Sequence, residues 1–216
     1  MRRIIQTPPV GTMYFNGLNT SVVGTSLGWT GAQVHTFAVW CKWAGTTINN
    51  AAAVSVGESV VTKHPWIGVS LNKFACGNYG SAVQERPAIK DWKRLVGTYN
   101  GTHGKVFLNG MAYSVAQPYT VAINTSAVCI GNFNGGGYPF GGLMWKAMIW
   151  NRVLSDDEIA LDFYEGKYIS SGLVRYWPLE TLTDGKTPEL IGGTLDTVSN
   201  GSINTTDLPF KLRTQV

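Results

Sequence analysis

The stretch Trp92 to Val115, "WKRLVGTYNGTHGKVFLNGMAYSV", limits the fold more than any other part of the chain. "LVGTY" and "KVFLN" are rich in residues that favour strands. They flank "NGTHG", where Asn100-Gly101 marks a hairpin turn, and Asn109-Gly110 turns the chain again. Upstream, "HTFAVWCKW" alternates. Phe37, Val39, Cys41 and Trp43 share one face, while Trp40 and Lys42 share the other. "AVCIGNF", "LMWKAMIW" and "GLVRYWPLE" are further strands between Gly/Asn/Thr turns. Short strands at this spacing predict an all-β sandwich or barrel, and 216 residues suit one such domain.

One segment breaks the pattern. "NRVLSDDEIALDFYEG", Asn151 to Gly166, sets Asp156, Asp157 and Glu158 side by side. Ser155 and Glu158 fit a capping box, and Leu154 and Ile159 fit a hydrophobic staple. The acids sit where a helix dipole favours negative charge, and Gly166 supplies a stop. The trio is therefore expected to start one short helix near 155–165, not to form an acid/base or metal centre.

Composition narrows the function classes. Charged residues are only 14% of the chain, and the three cysteines (Cys41, Cys76, Cys129) have no zinc or disulfide spacing. Cys41 and Cys129 lie in apolar runs and read as buried. Residues 1–155 hold twelve Lys/Arg against three acids, whereas residues 156–216 hold five against ten. That split suggests acidic partners or head-to-tail contact between subunits. The cations are scattered, so no nucleic-acid partner is expected. No apolar run of membrane-spanning length occurs, so no membrane partner is expected. "MRRIIQTPPVG" lacks the apolar core of a signal peptide. His35, His64 and His103 are isolated, and Glu58, Glu85 and Asp91 cannot be paired by spacing. No catalytic residue, metal ligand or cofactor is expected.

At this point a family resemblance emerges. "FGGLMWKAMIWNRVLSDDEI" is similar to a signature of the laminin-G-like, concanavalin-A-like jelly-roll family. "HTFAVWCKW", "DWKRLVGTYNGTHGKVFLNG" and "MYFNGLNTSV" resemble three further segments of it. Together these cover roughly residues 12–165. The resemblance implies a jelly-roll β-sandwich of two antiparallel sheets. Three departures stand out. Trp145 and Lys146 replace an acidic pair common in the family. Too few acids precede Asp156 for a carboxylate-rich calcium site. "YWPLE" resembles the segment that commonly opens a family member, yet here it closes the chain. That is tolerable if the first and last strands are neighbours.

The expected division is an N-terminal arm (1–11), a sandwich (12–181) and a loop-rich tail (182–216). The tail would carry one or two short edge strands, one at "GTLDTV", and pack on the sandwich or a neighbouring subunit. Because this family is frequent in bacteriophage, the resemblance implies a non-catalytic subunit of a virus particle. It would be a capsid decoration or tail-associated protein, assembled in the host cytoplasm and located in the virion. Its partners would be other virion proteins and itself. Arg2, Arg3, Lys211 and Arg213 in the two termini would be contact residues. The alternative is a carbohydrate-binding, lectin-like module. In that case exposed aromatics and amides at loop tips would meet a glycan, with Trp29, Trp66, Tyr79, Asn132, Asn134 and Tyr138 as candidates. The plainer reading of the aromatics is core packing.

Overall fold

A computed structural model of the chain describes residues 10–45, 50–125, 127–134 and 136–209. The early strands are β1 (Thr12–Asn16), β2 (Ser21–Gly24), β3 (His35–Trp43), β4 (Asn50–Val56), β5 (Pro65–Ser70) and β6 (Lys73–Asn78). Next come β7 (Ser81–Pro87), β8 (Trp92–Tyr99), β9 (His103–Leu108), β10 (Met111–Ala112), β11 (Gln117–Pro118) and β12 (Val128–Ile130). The chain then forms β13 (Gly141–Trp150), the helix α1 (Asp156–Glu165), β14 (Leu173–Trp177), β15 (Lys186–Glu189), β16 (Thr194–Ser199) and β17 (Ser202–Asn204).

These strands build a sandwich of two antiparallel sheets. The first runs β10-β9-β8-β3-β13-β1-β17, with β11 beside β9 and β14 beside β13. The second runs β15-β16-β2-β12-β4-β5-β6-β7. The long β13 serves two partners on one side: Met144 faces Met13 of β1, and Met148 faces Tyr176 of β14. β1 and β17 are hydrogen-bonded neighbours, with Thr12 opposite Asn204. The first and last strands described are therefore adjacent, as the displaced "YWPLE" segment requires.

Alternation in β3 sorts its side chains as expected. Phe37, Val39, Cys41 and Trp43 enter the core between the sheets. Trp40 points the other way and packs with Trp92, Leu143, Trp145 and Phe163. The middle of the first sheet is thus buried on both faces, because α1 covers that part of its outer one. The helix starts as its sequence dictates. The Ser155 hydroxyl accepts from the Glu158 amide (3.2 Å), and the Glu158 carboxylate accepts from the Ser155 amide (2.9 Å). Leu154 and Ile159 share one apolar cluster, and Gly166 ends the helix in the left-handed region at φ 67°.

The tail contributes three strands. β16 is no edge strand: it lies between β15 and β2. Its inward residues explain this, since Val198 packs in the core and Asp196 accepts from the buried Trp177 indole (2.7 Å). The charge split between the two parts of the chain is met inside the molecule. Arg94 pairs with Asp162 (2.7 Å), Lys105 with Asp156 (2.9 Å), and Lys42 with Asp207. Acids from the second part thus face cations of the first without any neighbouring subunit.

Candidate functional site

The second sheet leaves part of its outer face open, and there the sequence places small residues. Gly68 of β5 and Ala75 and Gly77 of β6 alternate with the inward Ile67, Val69, Phe74 and Cys76. Gly68 has no room for more, since a Cβ there would lie 2.0 Å from the Ala51 carbonyl oxygen. Beside it β4 bulges: Ala52 faces Gly68 and Val54 faces Ile67, leaving Ala53 extra. The bulge frees backbone groups to hold a loop. The Gly131 amide donates to the Ala53 carbonyl (2.9 Å), and the Ala52 amide donates to the Tyr138 carbonyl (2.9 Å). Within that loop Asn132 Oδ1 accepts from the amides of Phe133 (2.8 Å) and Tyr138 (3.0 Å).

The result is a cavity of about 360 Å³ over β4–β7. Ala52, Trp66, Ser70, Ala82 and Gln84 line it from the strands, and Phe133 and Tyr138 from the loop. Tyr79 and Gly80 line it at the β6–β7 turn, while Asn50 and Leu71 sit at its edge. The aromatic wall is continuous. The Tyr138 ring lies 4.5 Å from Phe133 and 5.7 Å from Tyr79, and Phe133 lies 6.2 Å from Trp66. The adjacent Tyr79 side chain, aided by burial, pushes the Tyr138 phenol up.

No described lining residue carries a formal charge at neutral pH. Asn78 is committed to structure: its Oδ1 accepts from the amides of His64 (2.9 Å) and Tyr79 (2.8 Å), and its Nδ2 donates to the Thr120 carbonyl. Other polar groups are left over. Asn50 uses Oδ1 to accept from the Leu71 amide (3.1 Å), and Gln84 uses Nε2 to donate to Ser70 (3.1 Å). Asn50 Nδ2, Gln84 Oε1 and the Trp66 indole N–H make no hydrogen bond among the described residues. Behind the wall His64 stacks on Phe133 at 4.0 Å. Neither of its ring nitrogens has a hydrogen-bond partner among the described residues. Burial pulls its pKa down to about 4; the nearby Glu58 backbone offsets part of this without hydrogen-bond geometry.

The predicted residues divide. Trp66, Tyr79 and Tyr138 meet at the cavity. Trp66 is not at a loop tip but in β5, where Pro65 opens the strand. Asn132 is buried and shapes the loop. Asn134 donates to the Gly57 carbonyl (3.2 Å) outside the lining. Trp29 is elsewhere, stacked with His35 (6.0 Å) and Phe37 (6.4 Å) at the edge of the core. Arg2, Arg3, Lys211 and Arg213 lie outside the described residues. Sequence reasoning missed Asn50, Ser70, Leu71, Gln84 and Phe133. The outward run of small residues in "WIGVS" and "FACGN" was the available signal.

Comparisons with known proteins bear on the fold. A family model described as concanavalin A-like lectin/glucanases superfamily matches residues 15–160. No curated protein matches the chain. A candidate carbohydrate binding protein from Bacteroides ovatus superposes with a TM-score of 0.71 at 16% identity, over 93% of this chain and 61% of its own. The chain therefore spans less than two thirds of that protein. Domain 4 of AbnA, an extracellular GH43 arabinanase from Geobacillus stearothermophilus, solved with arabinotriose, gives 0.53 at 17% identity, over 71% of this chain and 76% of its own. The CBM40 of the Ruminococcus gnavus IT-sialidase gives 0.51 at 17%, over 71% and 96%. At these identities the likeness is one of fold. These neighbours overturn the expected virus-particle subunit, and the alternative of a carbohydrate-binding module fits them better. The middle of the first sheet is covered on both faces, and the open face of the second carries the cavity.

Proposed function

The chain belongs to the concanavalin A-like lectin/glucanases superfamily, and on that footing we propose that it is a non-catalytic carbohydrate-binding module. Its ligand would occupy the cavity over β4–β7. The observation that carries this reading is the meeting of Trp66, Tyr79 and Tyr138 around one uncharged hollow with unspent amide and indole groups. Ligand sites are concave and largely apolar, with a few placed polar groups. Sugar rings present C–H faces to aromatic rings and hydroxyls to amides. The Bacteroides neighbour, a candidate carbohydrate binding protein, and the Geobacillus arabinanase domain solved with arabinotriose support the same class of ligand.

The non-catalytic part rests on the lining. Hydrolysis of a glycosidic bond commonly uses two carboxyl groups roughly 5–9.5 Å apart across the ligand, and no Asp or Glu lines the cavity. Of the acids before the helix, Glu58 is paired with Lys63 (3.3 Å) and Asp91 with Lys93 (3.1 Å).

A glycan array followed by calorimetry tests the reading. Tyr138→Ala and Trp66→Ala should each abolish or strongly weaken binding, while Trp29→Ala, outside the cavity, should not. Trp66 is largely buried, so its variant is read beside a circular dichroism control, and Tyr138→Ala carries the result if Trp66→Ala misfolds. Unchanged affinity in a folded Tyr138→Ala protein, or glycosidase activity that copurifies with the chain, would refute the proposal.

A further inference from the structure

We infer that the ligand is an uncharged carbohydrate and that Leu71 is held out by the fold to cover its apolar face. The inference rests on the carbohydrate reading above and goes further, to the class of sugar and to a contact residue.

The first half follows from charge. A carboxylate, sulfate or phosphate brought out of water needs a cation beside it, or the desolvation cost is not recovered. Among the described residues, the cavity lining holds no Lys, Arg or His. Its unspent groups include the Asn50 Nδ2, the Gln84 Oε1 and the Trp66 indole N–H. These are neutral donors and an acceptor, which suit hydroxyls able both to donate and to accept.

The second half follows from backbone strain. β5 and β6 are joined by Leu71 and Asn72 alone, at φ 49° and 60°. Two successive positive φ angles make a turn that favours Asn-Gly. This chain uses that solution between β9 and β10, where Asn109 and Gly110 stand at φ 53° and 79°. At the β5–β6 turn it places a leucine instead, a residue that the left-handed region penalises. The side chain recovers little by packing, since Leu71 remains 59% exposed. Its amide is fixed by Asn50 Oδ1 at 3.1 Å, and it lines the mouth of the cavity. Strain held at a cavity mouth points to a ligand contact. An exposed aliphatic group there matches the C–H face of a sugar and has nothing to offer an anion.

The test uses calorimetry on the full chain. A panel of neutral oligosaccharides is compared with their sialylated and sulfated counterparts, at low and high salt. Neutral ligands should bind with a Kd that salt does not move, and the acidic forms should bind no better. Leu71→Asn should leave the melting temperature unchanged or raised while weakening binding about tenfold, as loss of part of an apolar contact does. A preference for acidic glycans with salt-sensitive affinity would overturn the inference and leave the carbohydrate reading intact. Unchanged affinity in Leu71→Asn would overturn the contact. An absence of binding to any glycan would remove the reading itself, and the inference with it.

Discussion

Asp162→Ala should be among the most damaging single changes in the molecule. The side chains of Arg94 on β8 and Asp162 on α1 are 1% and 8% exposed, and their ion pair is 2.7 Å long. The same guanidinium donates to the Lys146 carbonyl at 2.8 Å, at the point where β13 bulges and Lys146 takes φ 47°. Removing the carboxylate leaves a cation enclosed between helix and sheet. Breaking such a buried pair costs about 3–5 kcal/mol, because the surviving charge can no longer reach water. For a chain of this size that corresponds to a melting point lower by roughly 6–20 °C. Urea denaturation should show a lower midpoint at an unchanged slope. The double variant Arg94→Met/Asp162→Leu should recover most of the loss, since neither charge then remains buried. A cost for Asp162→Ala below about 1 kcal/mol, as for a solvated surface pair, would refute the reasoning. Glycan binding by folded Asp162→Ala protein should be normal, because α1 packs on the other sheet.

Two further outcomes can be checked on the same samples. Ser155→Ala should cost about 0.5–2 kcal/mol, the usual value of a lost cap, with glycan affinity unchanged; lost affinity at unchanged stability would show that the acidic trio does more than start a helix. His64 is held neutral, with its pKa down at about 4. The unfolded chain therefore binds the proton first, and stability should fall as the pH drops from about 6.5 toward 4. His35, also pulled down to about 4 by burial, contributes to the same slope. His64→Phe should flatten part of it in thermal melts, and an unchanged slope would sink the assignment.

Much of the fold was legible because it is written locally. The capping box of α1 lies within four residues, and the period-two pattern of β3 sorts its own side chains. The cavity was not legible because it joins β4–β7 to the loop after β12, far along the chain. Residue type also misled at particular places. Asn132 looked like a ligand contact from its amide, but the loop spends that amide on two of its own backbone N–H groups. Arg94 and Asp162 look like surface residues, and only the docking of α1 makes them interior. "GTLDTV" looked like an edge because its pattern is weak, yet β2 accepts it on one side and β15 on the other.

The pairing of β1 with β17 bears on how such a module is carried. The two strands are antiparallel, so the chain enters at Thr12 and leaves beyond Asn204 at the same corner of the sandwich. β17 is one edge of the first sheet, while the cavity lies over β4–β7, toward the far edge of the second. The domain therefore has its plug and its socket at opposite ends. Splicing it into a surface loop of another protein would place both connections on one side and leave the cavity turned outward.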